Sequence, residues 1–209
     1  MIGYGLSSVQ LRDGRRLTYR TLGRPGGFAV LYMHGAIGSP RWRTAALEAT
    51  VAALGIRYVA VNRPGFGGSD PLPGRTVASS AADVEDLADA LGWERFSVVG
   101  VSAGAPSALA CAWALPARVV AVAAASPLAP PACPSLRYSV PTAGFRVPVA
   151  FLWGTRDRVI PISALPGLRA LVPGAPVEVI PRAGHVPHLE RPREFVAAVD
   201  RLLPAITDP

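Results

Sequence analysis

Apolar and polar positions along the chain fall into a recurring order. Ser8 to Leu11 and Arg16 to Leu22 alternate, and Asp13–Gly14 between them supplies a turn, so two antiparallel strands are predicted. Phe28–Met33 is a continuous apolar run between Gly26–Gly27 and His34–Gly35, the pattern of a strand buried on both faces. Ile56–Val61, Phe96–Val101, Val119–Ala125, Val147–Trp153 and Pro176–Ile180 read the same way. Between them, apolar residues recur every third or fourth position. That spacing predicts helices over Arg41–Leu54, Thr76–Leu91, Ala103–Leu115, Ser163–Leu171 and Pro192–Leu203. Gly55 and Gly92 stop the first two, and Pro106 sits in the first turn of the third, where a missing N–H costs little.

Two strands followed by repeated strand–helix units predict an α/β protein. Its sheet is mostly parallel and open, with helices on both faces and two antiparallel N-terminal strands. At roughly 150 residues per domain, the 209 residues suit a single domain over 1–209. One segment breaks the rhythm. Residues 126–146 carry Pro127, Pro130, Pro131, Pro134 and Pro141, too many for a long helix. The apolar stretch Ala108–Ala129 has a length that suggests a membrane span. Pro116 and Arg118 interrupt it, so it is read as a helix and a strand, with no membrane partner.

Charge alters this picture little. The net charge is +7 and every basic residue is Arg, with no Lys in the chain. Schiff-base chemistry, a Lys base and a Lys phosphate grip are therefore excluded. The arginines are scattered and show no cluster interleaved with aromatics, so no nucleic-acid partner is expected. Asp83, Glu85, Asp86 and Asp89 are read as the solvated face of their helix. Cys111 and Cys133 lack metal-ligand spacing and are expected to be reduced. No basic start with an apolar core opens the chain, which with the cysteines points to a cytoplasmic protein. No metal and no organic cofactor are expected.

The chemistry centres on Gly100-Val101-Ser102-Ala103-Gly104, where an apolar strand runs into a helix. A Ser on such a tight turn has its hydroxyl at the C-terminal edge of the sheet, and small residues on either side let chains approach. The helix start adds N–H donors and the positive end of a dipole. A nucleophilic Ser needs a base, and the base needs an acid to orient it. His185 follows the last strand in Ala183-Gly184-His185-Val186-Pro187-His188, and Asp157 follows Val147–Trp153. Each of the three sits at the C-terminal end of a predicted strand, the edge where open α/β sheets bind ligands. His34, at the end of another such strand, is read as fixing its loop. Trp42, Phe66, Trp153 and Tyr138 are read as packing.

These motifs resemble the α/β-hydrolase superfamily, which uses the same Ser, Asp, His order. His34 to Ser39 is similar to its HG-x loop. Asn62 to Ser69 resembles its D-x-R/P-G-x-G-x-S loop, with Asn62 where many members have Asp. Gly154 to Pro161 resembles its acid loop, and Gly184 to Pro192 its G-H-x-x-H-x-E-x-P histidine loop. The resemblance implies Ser102 as nucleophile, His185 as base and Asp157 as orienting acid, with His188 a packing residue. Some members place the acid after the preceding strand. Ser126 stands there, and no carboxylate follows it before Asp157. Oxyanion donors are implied at the backbone N–H groups of Ala36 and Ala103. Many members insert a helical cap in the place of 126–146, and this segment is too short for one.

What is implied is a serine hydrolase of an ester, lactone or thioester with an open, lidless site. Its partner would be a small-molecule or bulky acyl substrate, or a second copy of the chain covering the open site. Two alternatives stand beside it. One is a triad-bearing biosynthetic cyclase, acyltransferase or lyase. The other is a non-catalytic ligand binder on the same fold. Dehalogenase-like and epoxide-hydrolase-like members carry Asp where this chain has Ser102.

Overall fold

The computed structural model describes residues 6–38, 44–128 and 144–202. Among the described residues there are eight strands: β1 (Ser7–Gln10), β2 (Arg16–Gly23), β3 (Ala29–Met33), β4 (Arg57–Val61), β5 (Phe96–Val101), β6 (Val119–Ala125), β7 (Val149–Gly154) and β8 (Val177–Ile180). They join into one sheet in the order β1-β2-β4-β3-β5-β6-β7-β8. β2 pairs antiparallel with both β1 and β4, and every pairing from β4 to β8 is parallel. The two N-terminal strands are therefore antiparallel to each other, and β2 alone runs against the rest.

The helices are α1 (Ala45–Ala53), α2 (Ser79–Ala90), α3 (Ala105–Ala114), α4 (Leu165–Leu171), α5 (Pro187–Glu190) and α6 (Pro192–Leu202). Residues 41–43, expected in the first helix, lie outside the described residues. Thr44 caps that helix by accepting from the Leu47 N–H at 3.1 Å. α5 was not expected, because four residues carry no periodicity. The stretch Ala108–Ala129 divides as anticipated, with α3 ending at Ala114 and β6 beginning at Val119. No helix among the described residues is long and apolar enough to cross a membrane.

β3, β5 and β7 are buried along their whole length. The reason is helices on both faces, so alternate side chains enter different cores. Leu31, Val98 and Phe151 pack with Val84 and Leu87 of α2, Leu109 of α3 and Leu168 of α4. Val30, Val99 and Leu152 pack on the opposite face with Leu47 and Val51 of α1 and Phe195 and Val199 of α6. β6 contributes mostly alanine, and α3 is buried on every side from Ala105 to Ala112. Small residues on both let this central helix lie close to the sheet. Cys111 of α3 is a free buried thiol, its pKa pushed up to about 12 by burial; Cys133 lies outside the described residues.

One expectation is overturned in part. Of the acids of α2, the Glu85 and Asp89 side chains are open to solvent, at 37% and 47%, but those of Asp83 and Asp86 are not. Asp83 is buried and ion-paired with Arg15. Asp86 accepts the Arg12 N–H at 2.8 Å and its guanidinium at 3.0 Å. Asp89 pairs with Arg12 and with Arg118. The turn between β1 and β2 folds over α2, and its arginines need these carboxylates. That contact spans about seventy positions of sequence, as the 68-residue separation of Arg15 and Asp83 shows.

Candidate active site

Ser102 opens a single 3-10 turn, Ser102–Gly104, between β5 and α3. Its φ is +55°, a left-handed conformation that costs a non-glycine residue energy and persists only where the surroundings enforce it. The neighbouring glycines explain how. A Cβ on Gly100 would lie 2.7 Å from the Ala105 Cα, and one on Gly104 2.2 Å from the Met33 carbonyl oxygen. The elbow is thus pressed between β3 and the start of α3, and side chains on either side would force it apart.

The loop after β3 lies against Ser102. A Cβ on Gly35 would sit 3.1 Å from the Ser102 Cβ and 3.5 Å from its Oγ. Ala36 follows on the exposed part of that loop, and Ala103 is buried in the first turn after Ser102. His34 is fully buried. Its Nε2 accepts the Arg63 N–H at 3.2 Å, so a neutral ring carries its proton on Nδ1 and donates to the Gly35 carbonyl at 2.7 Å. Burial, reinforced by the Arg63 and Arg75 cations, lowers the His34 pKa to about 4. The Phe66 ring meets the edge of His34 at 4.8 Å and lies under the Arg63 guanidinium at 5.0 Å.

Asp157 and His185 come together at the ends of β7 and β8. His185 Nδ1 lies 3.1 Å and 3.0 Å from the two carboxylate oxygens of Asp157. Oδ1 also accepts the Val159 N–H at 3.0 Å and the Ile160 N–H at 2.9 Å. Burial resists ionisation of Asp157. The Ile160 and Val159 amides, the His185 imidazole and the nearby Ser126 hydroxyl outweigh it and hold the carboxyl below the ordinary aspartate range. Ser126 Oγ is itself buried outside bonding geometry with any described group, so it acts as a neighbouring dipole. An ionised Asp157 requires the His185 proton on Nδ1 and leaves Nε2 as the acceptor.

The two loops are tied to each other by main chain. Thr155 donates to the Ile180 carbonyl at 3.1 Å and Arg156 to the Ala183 carbonyl at 2.8 Å. The Arg182 N–H reaches Thr155 Oγ1 at 2.8 Å. Glu190 then holds the peptides on either side of His185, accepting from Gly184 N–H at 2.8 Å and Val186 N–H at 3.1 Å. Glu190 stood in the histidine-loop pattern without a role; bonds to main chain leave no mark in sequence that names their target.

His188 is buried, with Nε2 at 2.8 Å from the Tyr32 hydroxyl, and burial pushes its pKa down to about 3. Trp153 is a core residue whose indole donates to the Ile160 carbonyl at 2.8 Å. Asn62 donates to Thr18 Oγ1 at 2.8 Å and knits its loop to β2. Trp42, Tyr138 and most of the 126–146 segment lie outside the described residues. Among the described residues, then, Asp157 and His185 are bonded, Ser102 stands beside Gly35, and no hydrogen bond joins Ser102 to His185.

A family model described as "alpha/beta hydrolase fold" matches residues 29–148, and a second, "Alpha/beta hydrolase family", matches residues 130–199. The chain belongs to the α/β-hydrolase family. It is 38% identical over 119 residues to a 2-hydroxy-6-oxononadienedioate/2-hydroxy-6-oxononatrienedioate hydrolase of Pseudomonas putida, a match spanning 53% of this chain and 41% of that protein. The chain thus covers under half the length of that relative. Among solved structures it is similar to an esterase from Rhodococcus, with TM-score 0.76 and 20% identity, covering 96% of this chain and 99% of that one. A Pseudomonas aeruginosa hydrolase gives TM-score 0.76 and 21% identity, over 96% and 99% of the two chains. At such identities these two matches speak for the fold alone.

Proposed function

We propose that the protein is a serine hydrolase that cleaves a carboxylic ester, lactone or thioester through Ser102, His185 and Asp157. The observation that carries this is the Asp157–His185 pair, set on the same sheet edge as a serine held at φ +55°. Ser102 Oγ attacks the carbonyl carbon. His185 Nε2 takes the hydroxyl proton and returns it to the leaving group, and Asp157 holds the tautomer that makes this possible. The N–H groups of Ala36 and Ala103 receive the charge that develops on the carbonyl oxygen, each contributing about 3 kcal/mol to transition-state stabilisation. Water, activated by the same His185, then releases the acyl group from Ser102.

The substrate is apolar or bulky. Ile37, on the loop beside Ser102, is 81% exposed, and Val159, next to Asp157 on the acid loop, is 68% exposed. Ile162 follows on the same loop, also exposed. Apolar side chains bared around one sheet edge find their burial in a ligand or a second copy of the chain. Residues 126–146 are too short for a helical cap, which favours an open site; Ser102 itself is 9% exposed, so substrate reaches it at the floor of the sheet edge rather than on a bare surface.

The test is labelling with a fluorophosphonate probe and turnover of p-nitrophenyl esters. Both occur with the parent protein and both are lost in Ser102→Ala. A folded parent protein that takes no label refutes the proposal and leaves ligand binding without catalysis. A second reading has the Pseudomonas putida relative in its favour: hydrolysis of a keto-dienoic diacid of the kind that protein is named for. Turnover of 2-hydroxy-6-oxononadienedioate well above that of p-nitrophenyl esters selects this reading.

A further inference from the structure

Three donors converge on one carbonyl oxygen in the loop beside Ser102. The Gly35 carbonyl accepts from His34 Nδ1 at 2.7 Å, from the Arg63 guanidinium Nη2 at 3.0 Å and from the Gly38 N–H at 3.3 Å. Arg63 is 8% exposed, and among the described residues it has no carboxylate partner. A guanidinium that leaves water without an anion is costly, and here it rests on one main-chain carbonyl and over the face of the Phe66 ring. Arg63 is tied twice to this loop, since its own N–H donates to His34 Nε2 at 3.2 Å. That bond fixes the imidazole tautomer, which in turn makes Nδ1 a donor to Gly35.

A peptide unit is planar and trans, so its N–H points opposite to its C=O. The Gly35 carbonyl and the Ala36 N–H belong to one such unit. Fixing the first fixes the second, and among the described residues the Ala36 N–H makes no hydrogen bond of its own. Gly35 itself abuts Ser102, at 3.1 Å from Cβ to Cβ were it to carry one. We infer that Arg63 and His34 are positioning residues: they lock the Gly35–Ala36 peptide plane so that the Ala36 N–H is held toward the oxygen of an acyl group on Ser102. The inference rests on the proposed hydrolase and goes beyond it. The oxyanion donor is oriented from behind, by a buried cation and a neutral imidazole that never touch substrate.

The lock acts on the transition state rather than on ground-state binding, because the donor is needed most when charge appears on the oxygen. Arg63→Met removes the charged donor, and Arg63→Lys keeps the cation while losing the fork that reaches Gly35. Circular dichroism and thermal unfolding establish that each variant is folded. In Arg63→Met, kcat for a p-nitrophenyl ester falls on the order of 10- to 100-fold, short of the 10²–10³ for outright loss of a donor, while KM stays nearly constant. Inhibition by an alkyl trifluoromethyl ketone, whose adduct with Ser102 carries the oxyanion, weakens by the same factor. Adduct formation moves the Ala36 amide proton downfield in the parent protein and leaves it in place in the variant. Arg63→Lys shows the same split at smaller amplitude and carries the test if Arg63→Met does not fold. A folded variant with unchanged kcat and unchanged ketone inhibition overturns the inference. If the parent protein takes no fluorophosphonate label, it is the hydrolase proposal that has failed.

Discussion

The carbonyl oxygen of Gly184 occupies the place where residue 154 would carry a side chain. A Cβ there would lie 2.2 Å from that oxygen and 2.4 Å from the Ala183 carbonyl oxygen. The acid loop and the histidine loop are thus in main-chain contact, and the distance between Asp157 and His185 depends on it. The first prediction concerns Gly154→Ala. A methyl group cannot be accommodated without moving one loop, and overpacking of this kind costs about 1–3 kcal/mol or more. Thermal unfolding should show a loss of roughly 5–10 °C for a chain of this size. Ester turnover should fall further than stability, because the bond from His185 Nδ1 to Asp157 is displaced. Gly26, with nothing within 4 Å of its added Cβ and no left-handed φ, is the control: Gly26→Ala should leave both readouts unchanged.

Asp157→Asn isolates the electrostatic part of that pair. An asparagine can still accept the Val159 and Ile160 N–H groups through its oxygen, so the loop keeps its shape. Its NH2 group, however, faces His185 as a donor and favours the tautomer with the proton on Nε2. In the proposed mechanism this blocks the imidazole at the nitrogen that accepts the proton of Ser102. In a Ser-His-Asp template this change lowers kcat by about 10⁴, and a loss of 10³ or more is expected here with KM little altered. Steady-state kinetics on a p-nitrophenyl ester is the measurement. A loss under tenfold would mean that Asp157 does not orient the base.

The sheet was legible wherever burial on both faces writes a continuous apolar run, as in Phe96–Val101 and Val119–Ala125. Strand order was not, since nothing in Arg57–Val61 says that it pairs with both β2 and β3. The placement of Ser102, Asp157 and His185 just beyond β5, β7 and β8 was legible because a strand end and a loop pattern coincide at each. Asp83 was misread because the partner that buries it, Arg15, lies in another element. The lock on Gly35 and the grip of Glu190 on Gly184 and Val186 were equally hidden: each ends on a backbone atom, and every residue offers one.

Two buried histidines make the protein acid-labile. His34 is lowered to about 4 and His188 to about 3, both by burial first and a neighbouring cation or imidazole second. The unfolded chain binds these protons near pH 6.5. Between about pH 6.5 and about pH 4 the unfolded state therefore holds more protons than the folded one, and stability falls as pH falls. Each group contributes at most about 1.4 kcal/mol per pH unit across its window. His188 continues to contribute down to about pH 3. Asp83, raised by burial against the pull of Arg15, works in the opposite sense and offsets part of the loss. Urea unfolding at pH 7.5, 6, 5 and 4 should give a steadily decreasing midpoint below pH 6.5. His188→Gln keeps a polar contact to the Tyr32 hydroxyl without a titrating ring, so its slope should be shallower than that of the parent protein.

The ion pairs between the β1–β2 turn and α2 differ in burial, and that difference predicts unequal effects. The Arg15 and Asp83 side chains are 15% and 6% exposed, and Arg12 is 64% exposed. Arg15→Ala leaves a buried carboxylate without its cation, a change that costs about 3–5 kcal/mol when no water replaces the partner. Arg12→Ala removes a guanidinium that solvent already screens, so the unfolding midpoint should hardly move. Pairing Arg15→Ala with Asp83→Asn removes the stranded charge, and the double variant should recover much of the loss. Chemical denaturation of the parent protein, Arg15→Ala, Asp83→Asn and the double variant closes this cycle, with Arg12→Ala measured beside it. Equal losses for Arg15→Ala and Arg12→Ala would show that the turn is held by its backbone contacts, and that Asp83 is reached by water after all.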